Sequence, residues 1–498
     1  MPVRGDATLP ATASSIADRP RQSNLSLLLL VDRARGQVTL LVDTARVLAY
    51  TPRYMKRSDD SAVPAPGAAR VHLAGIGGVG MSALAQALLD AGCTVSGSDR
   101  LLDRGDETDT LQCLRRQGVA LFPQDGSGVQ PGLARVIVSS AIEDDNPELA
   151  ACRALGIPVV HRAAELARLV AGRQLIAVTG TSGKSTVTAM LGWLLAGAGL
   201  DPLVINGAAV PGWDAEGTRI GSVRSGEGAW AVIEADESDR SLLAFAPRHA
   251  IITNRSADHF DLAETDRLFA AFRERVTGLV LEEMPSDDAL REEPAAWSGT
   301  FDLEGTAFTV PLPGRHNLVN AWQAVRMARA VGAARPDLQR VLAAFPGVER
   351  RLQRLGACRG AAVIDDYAHN PAKLAAAWRT VAAAFPRIVA LWRPHGYGPL
   401  RNMLEALSEV FAAEMRPADR LLLLPVYDAG GTARRDVNSG DLVARLTART
   451  VAAGEVEEIG AAERLLRAEA RPGTALLICG ARDPELPRLA RRLAREGD

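Results

Sequence analysis

The chain of 498 residues has little cysteine, little net charge and no long apolar run. Its five cysteines, Cys93, Cys113, Cys152, Cys358 and Cys479, are widely spaced and never form a CxxC pair. That argues against a disulfide framework or a zinc knuckle and fits a reducing cytoplasm. The formal net charge is −2, and the arginines stand among acidic neighbours, so no basic stripe marks nucleic acid or an anionic membrane as a partner. The longest run of only apolar residues and glycines, 189–200, is far too short to cross a bilayer. No apolar stretch followed by a cleavage site opens the chain, so no secretory signal is expected.

What is present is regular. The length suggests about three domains. Residues 1–23 are rich in Ala, Ser, Pro and Arg and read as disordered. Two apolar runs, 27–31 and 38–42, flank Arg33-Ala34-Arg35-Gly36 and predict a hairpin. From Val71 onward strands alternate with helices. Strands are expected at 71–74, 94–98, 135–139, 157–160, 175–178, 361–365, 388–392, 420–424 and 475–479, with helices at 82–91 and 186–195. This rhythm predicts an α/β protein with parallel sheets covered on both faces. It restarts twice, which divides the chain into an extension (1–65) and three α/β units, 66–171, 172–345 and 346–498. The extension has no function legible in its residues.

Two glycine loops follow strands. The first, Gly75-Ile76-Gly77-Gly78-Val79-Gly80, fits G-x-G-x-x-G, and Asp99 closes the next strand. Such glycines let the backbone approach a pyrophosphate seated on a helix N-terminus, with the acidic residue on a ribose hydroxyl. The motif does not separate NAD from another nucleotide diphosphate. In the second, Gly180-Thr181-Ser182-Gly183-Lys184-Ser185-Thr186, backbone N–H groups can cradle phosphates. Lys184 can reach the β/γ oxygens and Ser185 can sit on Mg²⁺. The general P-loop pattern requires Gly where this chain has Val178.

The surroundings of the second loop support the phosphate reading. An apolar strand runs into Glu234-Ala235-Asp236-Glu237-Ser238-Asp239, four carboxylates that are costly together unless solvated or bound to a cation. Glu234, at the strand end beside the loop, is where a Mg²⁺ ligand belongs. His259 follows a third strand end and can offer an imidazole nitrogen to a metal. Asn317 and Asn320, three apart on a helix, can present amides to adenine or ribose; an N-cap and a polar face are the plainer reading.

These segments, in order across residues 70–498, resemble the Mur ligase family, the ATP-dependent amide ligases of peptidoglycan synthesis. That family carries a GTxGK[ST] loop without the earlier glycine. Further matching segments are His72–Ser82, Gly97-Ser98-Asp99, Ser139-Ser140-Ala141-Ile142 and Gly314-Arg315-His316-Asn317. Later in the chain come Phe345–Arg351, Asp365-Asp366-Tyr367-Ala368-His369 and Arg393-Pro394-His395. The resemblance implies three domains: an N-terminal Rossmann-like UDP-binding domain, a central P-loop ATPase-type domain with a mostly parallel sheet, and a Rossmann-like C-terminal domain.

It reassigns the first loop, so that Gly77, Gly78, Val79, Gly80 and Asp99, with Ser139 and Ser140, line the uridine diphosphate of a UDP-sugar. It implies that residues 180–186, Asn317, Asn320, Arg351 and Asp366 serve ATP. Ser185, Glu234 and His259 would hold Mg²⁺, and His369 and His395 would face the amino acid. Lys184, Glu234, His259, Arg351 and Asp366 would carry catalysis.

The branch that joins L-alanine to UDP-N-acetylmuramate matches best, with four departures. Ser182 and Asn370 stand where that branch usually has His, Lys373 stands where it has an acidic residue, and the stretch from His259 to His316 is short. The alternatives are a Mur-type ligase with another amine donor, such as a recycled tripeptide, or a catalytically silent nucleotide-binding relative.

Overall fold

The computed structural model describes residues 28–32, 37–41, 69–255, 262–428 and 434–495. The chain forms two compact units, Met1–Lys56 and Arg57–Asp498. In the first, β1 (Leu28–Asp32) pairs antiparallel with β2 (Gln37–Leu41), as the two apolar runs suggest. The 1–23 stretch lies outside the described residues.

The second unit carries three mixed or parallel sheets, each with helices alternating along the chain. The first sheet has the order β5-β4-β3-β6-β7, all parallel. Its strands are β3 (Arg70–Ala74), β4 (Thr94–Ser98), β5 (Ala120–Phe122), β6 (Arg135–Val138) and β7 (Val159–His161). The chain winds outward from β3 through β4 to β5, then returns to β6 on the other side of β3. Ligands of open parallel sheets bind at that reversal, beyond the carboxyl ends of the two strands. The Gly75–Gly80 loop and Ser139 follow those two ends.

The second sheet has the order β10-β9-β11-β8-β12-β13. It comprises β8 (Gln174–Thr179), β9 (Leu203–Ile205), β10 (Val223–Arg224), β11 (Trp230–Glu234), β12 (His249–Ile252) and β13 (Val280–Leu281). Only β10 runs antiparallel. Central β8 lies between β11 and β12, so the second glycine loop emerges between the ends of those two strands. A three-stranded antiparallel meander, β14 (Leu290–Glu293), β15 (Ser298–Leu303) and β16 (Thr306–Val310), adds a feature the sequence reading did not anticipate. Phe301 and Phe308 stack across it with ring centroids 5.1 Å apart.

The third sheet has the order β17-β18-β22-β19-β20-β21, with only β17 antiparallel. It comprises β17 (Gln353–Cys358), β18 (Ala361–Asp366), β19 (Arg387–Trp392), β20 (Arg420–Leu423), β21 (Ala453–Glu455) and β22 (Thr474–Cys479).

Helices occur where the pattern places them, with shifted ends. The helix after the first loop, α1 (Val79–Asp90), begins three residues before the expected Ser82, because the extended Gly78 caps it and Met81 N–H already bonds Gly78 O. The strand expected at 157–160 is β7, Val159–His161. Ile157 N–H is taken by Cys152 O at the end of α3 (Pro147–Leu155), and Pro158 has no N–H to give a ladder. The helix after β7, α4 (Arg162–Val170), is anchored to β6 by a buried bidentate pair, Arg135 to Glu165 at 2.7 and 2.5 Å. All five cysteines are buried and free. No described helix is long and apolar enough to cross a membrane.

Candidate active site

The second glycine loop leaves β8 and enters α5 (Lys184–Gly197), so Lys184 and Ser185 open the helix. Its shape is held from the neighbouring strand end. Thr253 Oγ donates to Ser182 O at 2.6 Å, Asn254 Nδ2 donates to the same carbonyl at 2.8 Å, and Asn254 Oδ1 accepts from Ser182 N–H at 3.0 Å. Ser182 is therefore held through its main chain. At Gly180, φ is +128°, and an added Cβ would lie 2.2 Å from Thr253 Oγ and 2.9 Å from Thr253 N. Glycine is required there on both counts.

Lys184 Nζ donates to Gly180 O at 2.9 Å and to Glu237 Oε2 at 2.7 Å, with Asp236 Oδ1 at 3.9 Å. Burial opposes the charged ammonium, but Glu237, Asp236 and Glu234 outweigh it and hold Lys184 above the ordinary lysine pKa. Burial likewise raises Glu237, and there it outweighs the pull of Lys184. We take Lys184 as the firmly charged member and Glu237 as the weaker one, a carboxylate that a phosphate oxygen can displace. Glu234 ends β11 beside Val178 of β8. Its Oε2 accepts from Gly207 N–H at 2.8 Å, and Oε1 has no partner among the described residues. His259 lies outside the described residues.

Asn317 and Asn320 sit on α7 (Arg315–Ala330), whose cap is Gly314 rather than an asparagine. Both are buried, so the polar-face reading fails. Asn317 Nδ2 donates to Pro313 O at 2.8 Å, and Asn320 Oδ1 abuts Gly183 so closely that a Cβ there would lie 2.7 Å away. Asn320 thus touches the phosphate loop.

In the first sheet, Asp99 Oδ2 accepts from Gly77 N–H at 2.9 Å and Oδ1 from Leu101 N–H at 3.1 Å. A side chain at Gly77 would collide with that carboxylate, at 2.7 Å. In this state Asp99 shapes the loop with both oxygens. Ser140 Oγ donates to Asp239 at 3.4 Å, which ties the first-sheet loop to the carboxylate cluster.

On the third sheet, Asp366 ends β18 and is buried. Its two oxygens accept from Leu352 N–H and Ala368 N–H, both at 2.7 Å. It braces the Arg350–Leu352 turn. Burial raises its pKa against the pull of Arg351 and those two N–H groups. Burial also pushes Asp365 up to about 6, although Arg350 Nε lies 3.4 Å away. The guanidinium of Arg351 lies over the Tyr367 ring, 5.2 Å from its centroid. Asn370, one of the departures, caps α9 (Pro371–Ala384) by accepting from Lys373 N–H at 2.9 Å.

His369 and His395 meet edge to face, centroids 4.9 Å apart. His369 Nδ1 lies 2.9 Å from Tyr367 O, so that nitrogen carries the proton and Nε2 is left as an acceptor. Burial, helped by Lys373, pushes His369 down to about 3; burial, helped by Arg482, pushes His395 down to about 4. Both imidazoles are neutral in the folded protein. Since the unfolded histidines titrate near 6.5, the unfolded chain binds more protons below that pH, and stability falls as the pH drops toward 4. We predict a loss on the order of 2 kcal/mol between pH 7 and 5, discounted for partial exposure. Urea unfolding of wild type and a His369→Asn/His395→Asn variant checks this. Identical pH slopes in the two proteins contradict it.

Some residues from each of the three sheets face one cavity of about 780 Å³. The first sheet contributes Gly77–Gly80, Asp99, Ser139 and Ser140, the second Glu234, Asp236 and Asp239, and the third Tyr427, Asp428 and Arg482. Lys184, Arg351, Asp366, His369 and His395 are not among its lining residues. Sequence reasoning missed four side chains. Glu237 was grouped with the cluster, but only the structure pairs it with Lys184. Thr253 and Asn254 follow the strand before His259, and only the structure sets them on Ser182. Arg162, whose Nη1 would lie 3.2 Å from a Cβ at Gly80, opens a helix straight after a strand end, which is the one signal in the sequence that marks it.

The fold and this site define an α/β protein with a GTxGK[ST]-type glycine loop on its central sheet and, on the first sheet, another glycine loop facing a cavity that all three sheets line. A family model described as Mur ligase family, catalytic domain, matches residues 70–174, and one described as Mur ligase, glutamate ligase domain, matches residues 350–482. A UDP-N-acetylmuramate–L-alanine ligase of Rhizobium etli is 36% identical over 457 residues, covering 82% of this chain and 93% of the relative. One of Sinorhizobium medicae is 36% identical over 421 residues, covering 76% and 86%. Among solved structures, a UDP-N-acetylmuramate–alanine ligase of Thermotoga maritima shares the fold with a TM-score of 0.71 at 24% identity, covering 86% of this chain and 98% of that one. A murein peptide ligase of Psychrobacter arcticus does so at 0.59 and 20%, with the same coverage. The chain belongs to the Mur ligase family, whose members are ATP-dependent ligases.

Proposed function

We propose that this protein uses ATP to join L-alanine to the carboxylate of UDP-N-acetylmuramate in the cytoplasm, as a step of peptidoglycan precursor synthesis. The observation that carries the reading is the shared cavity, which sets a pyrophosphate-type glycine loop opposite Glu234 and Asp236, next to the Lys184 loop. In this reading residues 66–171 bind the UDP-sugar, 172–345 bind ATP, and 346–498 complete the site.

A carboxylate resists attack by an amine because its charge repels the lone pair. One carboxylate oxygen therefore takes the γ-phosphoryl group of ATP, with ADP leaving, to give an acyl phosphate. The amine then attacks the carbonyl carbon, phosphate departs, and the nitrogen loses its extra proton. Lys184, released from Glu237, holds phosphate oxygens as charge shifts across them, together with the N–H groups of 180–186. Asn320 braces the loop at Gly183, and Asn317 is placed to serve the nucleotide from the same helix. Arg351, braced through Asp366, clamps a phosphate from the third sheet. Gly77–Gly80, Ser139 and Ser140 hold the diphosphate, with Asp99 shaping the loop. His369 Nε2 accepts a hydrogen bond from the donor amine, with His395 packed against it.

Mg²⁺ fits the donors present, since Ser185 and Glu234 are hard oxygen ligands and Glu234 Oε1 is unpartnered among the described residues. His259 is a further candidate ligand. When bound, the ion neutralises phosphate charge.

Phosphate release with ATP and UDP-N-acetylmuramate, screened over L-alanine, other amino acids and the tripeptide, tests the reading. Stimulation by L-alanine is expected. Stimulation by the tripeptide alone assigns a different amine donor, and no stimulation by any donor turns the reading toward a silent nucleotide-binding relative.

A further inference from the structure

Among the described residues, four arginines hold left-handed backbone: Arg240, Arg350, Arg359 and Arg482, with φ of 59°, 58°, 48° and 67°. A β-carbon makes this region unfavourable, so an outlier at a cavity asks for a reason. Three of the four have a partner for the guanidinium. Arg240 pairs with Glu264, Arg350 donates to Gly480 O and faces Asp365, and Arg359 donates to Arg467 O at 3.2 Å. Arg482 makes no hydrogen bond or ion pair with a described residue, yet it lines the cavity.

An exposed arginine is ordinarily just solvated. Here its surroundings are built. The adjacent carboxylate, Asp483, is occupied by Arg393 Nη1 at 2.7 Å and Glu485 N–H at 2.9 Å, so it does not neutralise Arg482. Arg482 and His395 each stand three residues beyond a register pair of neighbouring strands, Cys479 of β22 and Trp392 of β19, and the guanidinium disfavours protonation of His395. The third sheet thus presents a guanidinium with no partner among the described residues beside the neutral imidazole of His395. The phosphate groups already have receptors elsewhere, at the helix N-termini that follow the two glycine loops. Two carboxylates remain; the acceptor's must lie at the ATP loop that phosphorylates it, which leaves that of the amine donor, and a guanidinium fork fits a carboxylate with two parallel hydrogen bonds.

We propose that Arg482 binds the carboxylate of the amino acid that this ligase adds. The inference rests on the ligase reading above and deepens it by naming the anchor for the donor.

Arg482→Gly separates binding from folding, because glycine suits a φ of 67°. The melting temperature of this variant should stay level or rise. Its KM for L-alanine should rise on the order of 10- to 100-fold, the loss expected for a charged hydrogen-bonded contact, while KM for ATP and for UDP-N-acetylmuramate holds. L-Alaninamide, which lacks the carboxylate, provides the second readout. Wild type should prefer L-alanine over it, and Arg482→Gly should lose most of that preference, with Arg482→Lys in between. An unchanged KM for L-alanine, or a rise confined to the UDP-sugar, overturns the proposal; the latter moves Arg482 to the phosphates of the acceptor. A wild-type protein with no L-alanine-dependent phosphate release overturns the ligase reading itself, and this inference with it.

Discussion

Replacing Lys184 by alanine is expected to cut ATP-dependent phosphate release about 10²- to 10³-fold while UDP-N-acetylmuramate still binds. The asymmetry follows from placement. Lys184 opens α5 after β8, whereas the first glycine loop follows β3 in a different sheet. The substitution has a structural side effect that must be separated from the catalytic one. Glu237 is only 3% exposed and would lose the ammonium 2.7 Å away. Stranding a buried charge costs about 3 kcal/mol, or the group takes up a proton instead. Lys184→Met combined with Glu237→Gln removes both charges and keeps much of the side-chain volume. It should recover the melting temperature without recovering phosphate release. Calorimetric titration with the UDP-sugar completes the test. Equal loss of UDP-sugar binding and phosphate release in this folded double variant contradicts the two-loop reading.

Gly180→Ala should do nearly as much damage by a different route. The new methyl would meet Thr253 Oγ at 2.2 Å, Thr253 N at 2.9 Å and Asn254 N at 3.0 Å, at a φ of +128° that side chains avoid. Two of those three contacts are backbone, so a rotamer change cannot relieve them. We expect a loss of about 2–4 kcal/mol in stability and of most ATP affinity, because the clamp of Thr253 and Asn254 on Ser182 must shift. Thr253→Ala removes only the hydroxyl, so adding it to Gly180→Ala should not restore activity. Full recovery in that double variant would show that the backbone contacts are not limiting. The ATP-dependent rate and urea unfolding of the three variants measure both effects.

Much of the architecture was legible because α/β proteins repeat a short grammar. Strands buried on both faces read as apolar runs such as Leu175–Val178, and glycine clusters punctuate the turns that follow. The meander at 290–310 was not legible. Leu290-Arg291-Glu292-Glu293 carries three charged residues in four, and its strand character comes from pairing with β15. The boundary errors have a similar origin. At Val159 the strand starts late because the previous helix claims Ile157 N–H, a competition visible only once the helix end is placed.

For the proposed site, residue types and order pointed to Lys184, Glu234, the two glycine loops and the Asp365–His369 segment, because a strand end followed by a glycine turn can be recognised in one dimension. Asp366 and Asp99 were read as ligands for nucleotide, and the structure shows each using both oxygens on backbone N–H groups. A local sequence shows that a carboxylate is present but not which N–H groups reach it.

By itself, then, the order of residues determined the class of fold, the two glycine loops after strands and the family, since these depend on periodicity and on contacts between near neighbours in the chain. Tertiary structure decided the rest. It gave Lys184 to Glu237 across 53 residues, clamped Ser182 from Asn254 across 72, and set Arg482 at the same cavity as Gly77. Charges and donors act through distance in space, and the winding of three sheets decides which distant residues become neighbours.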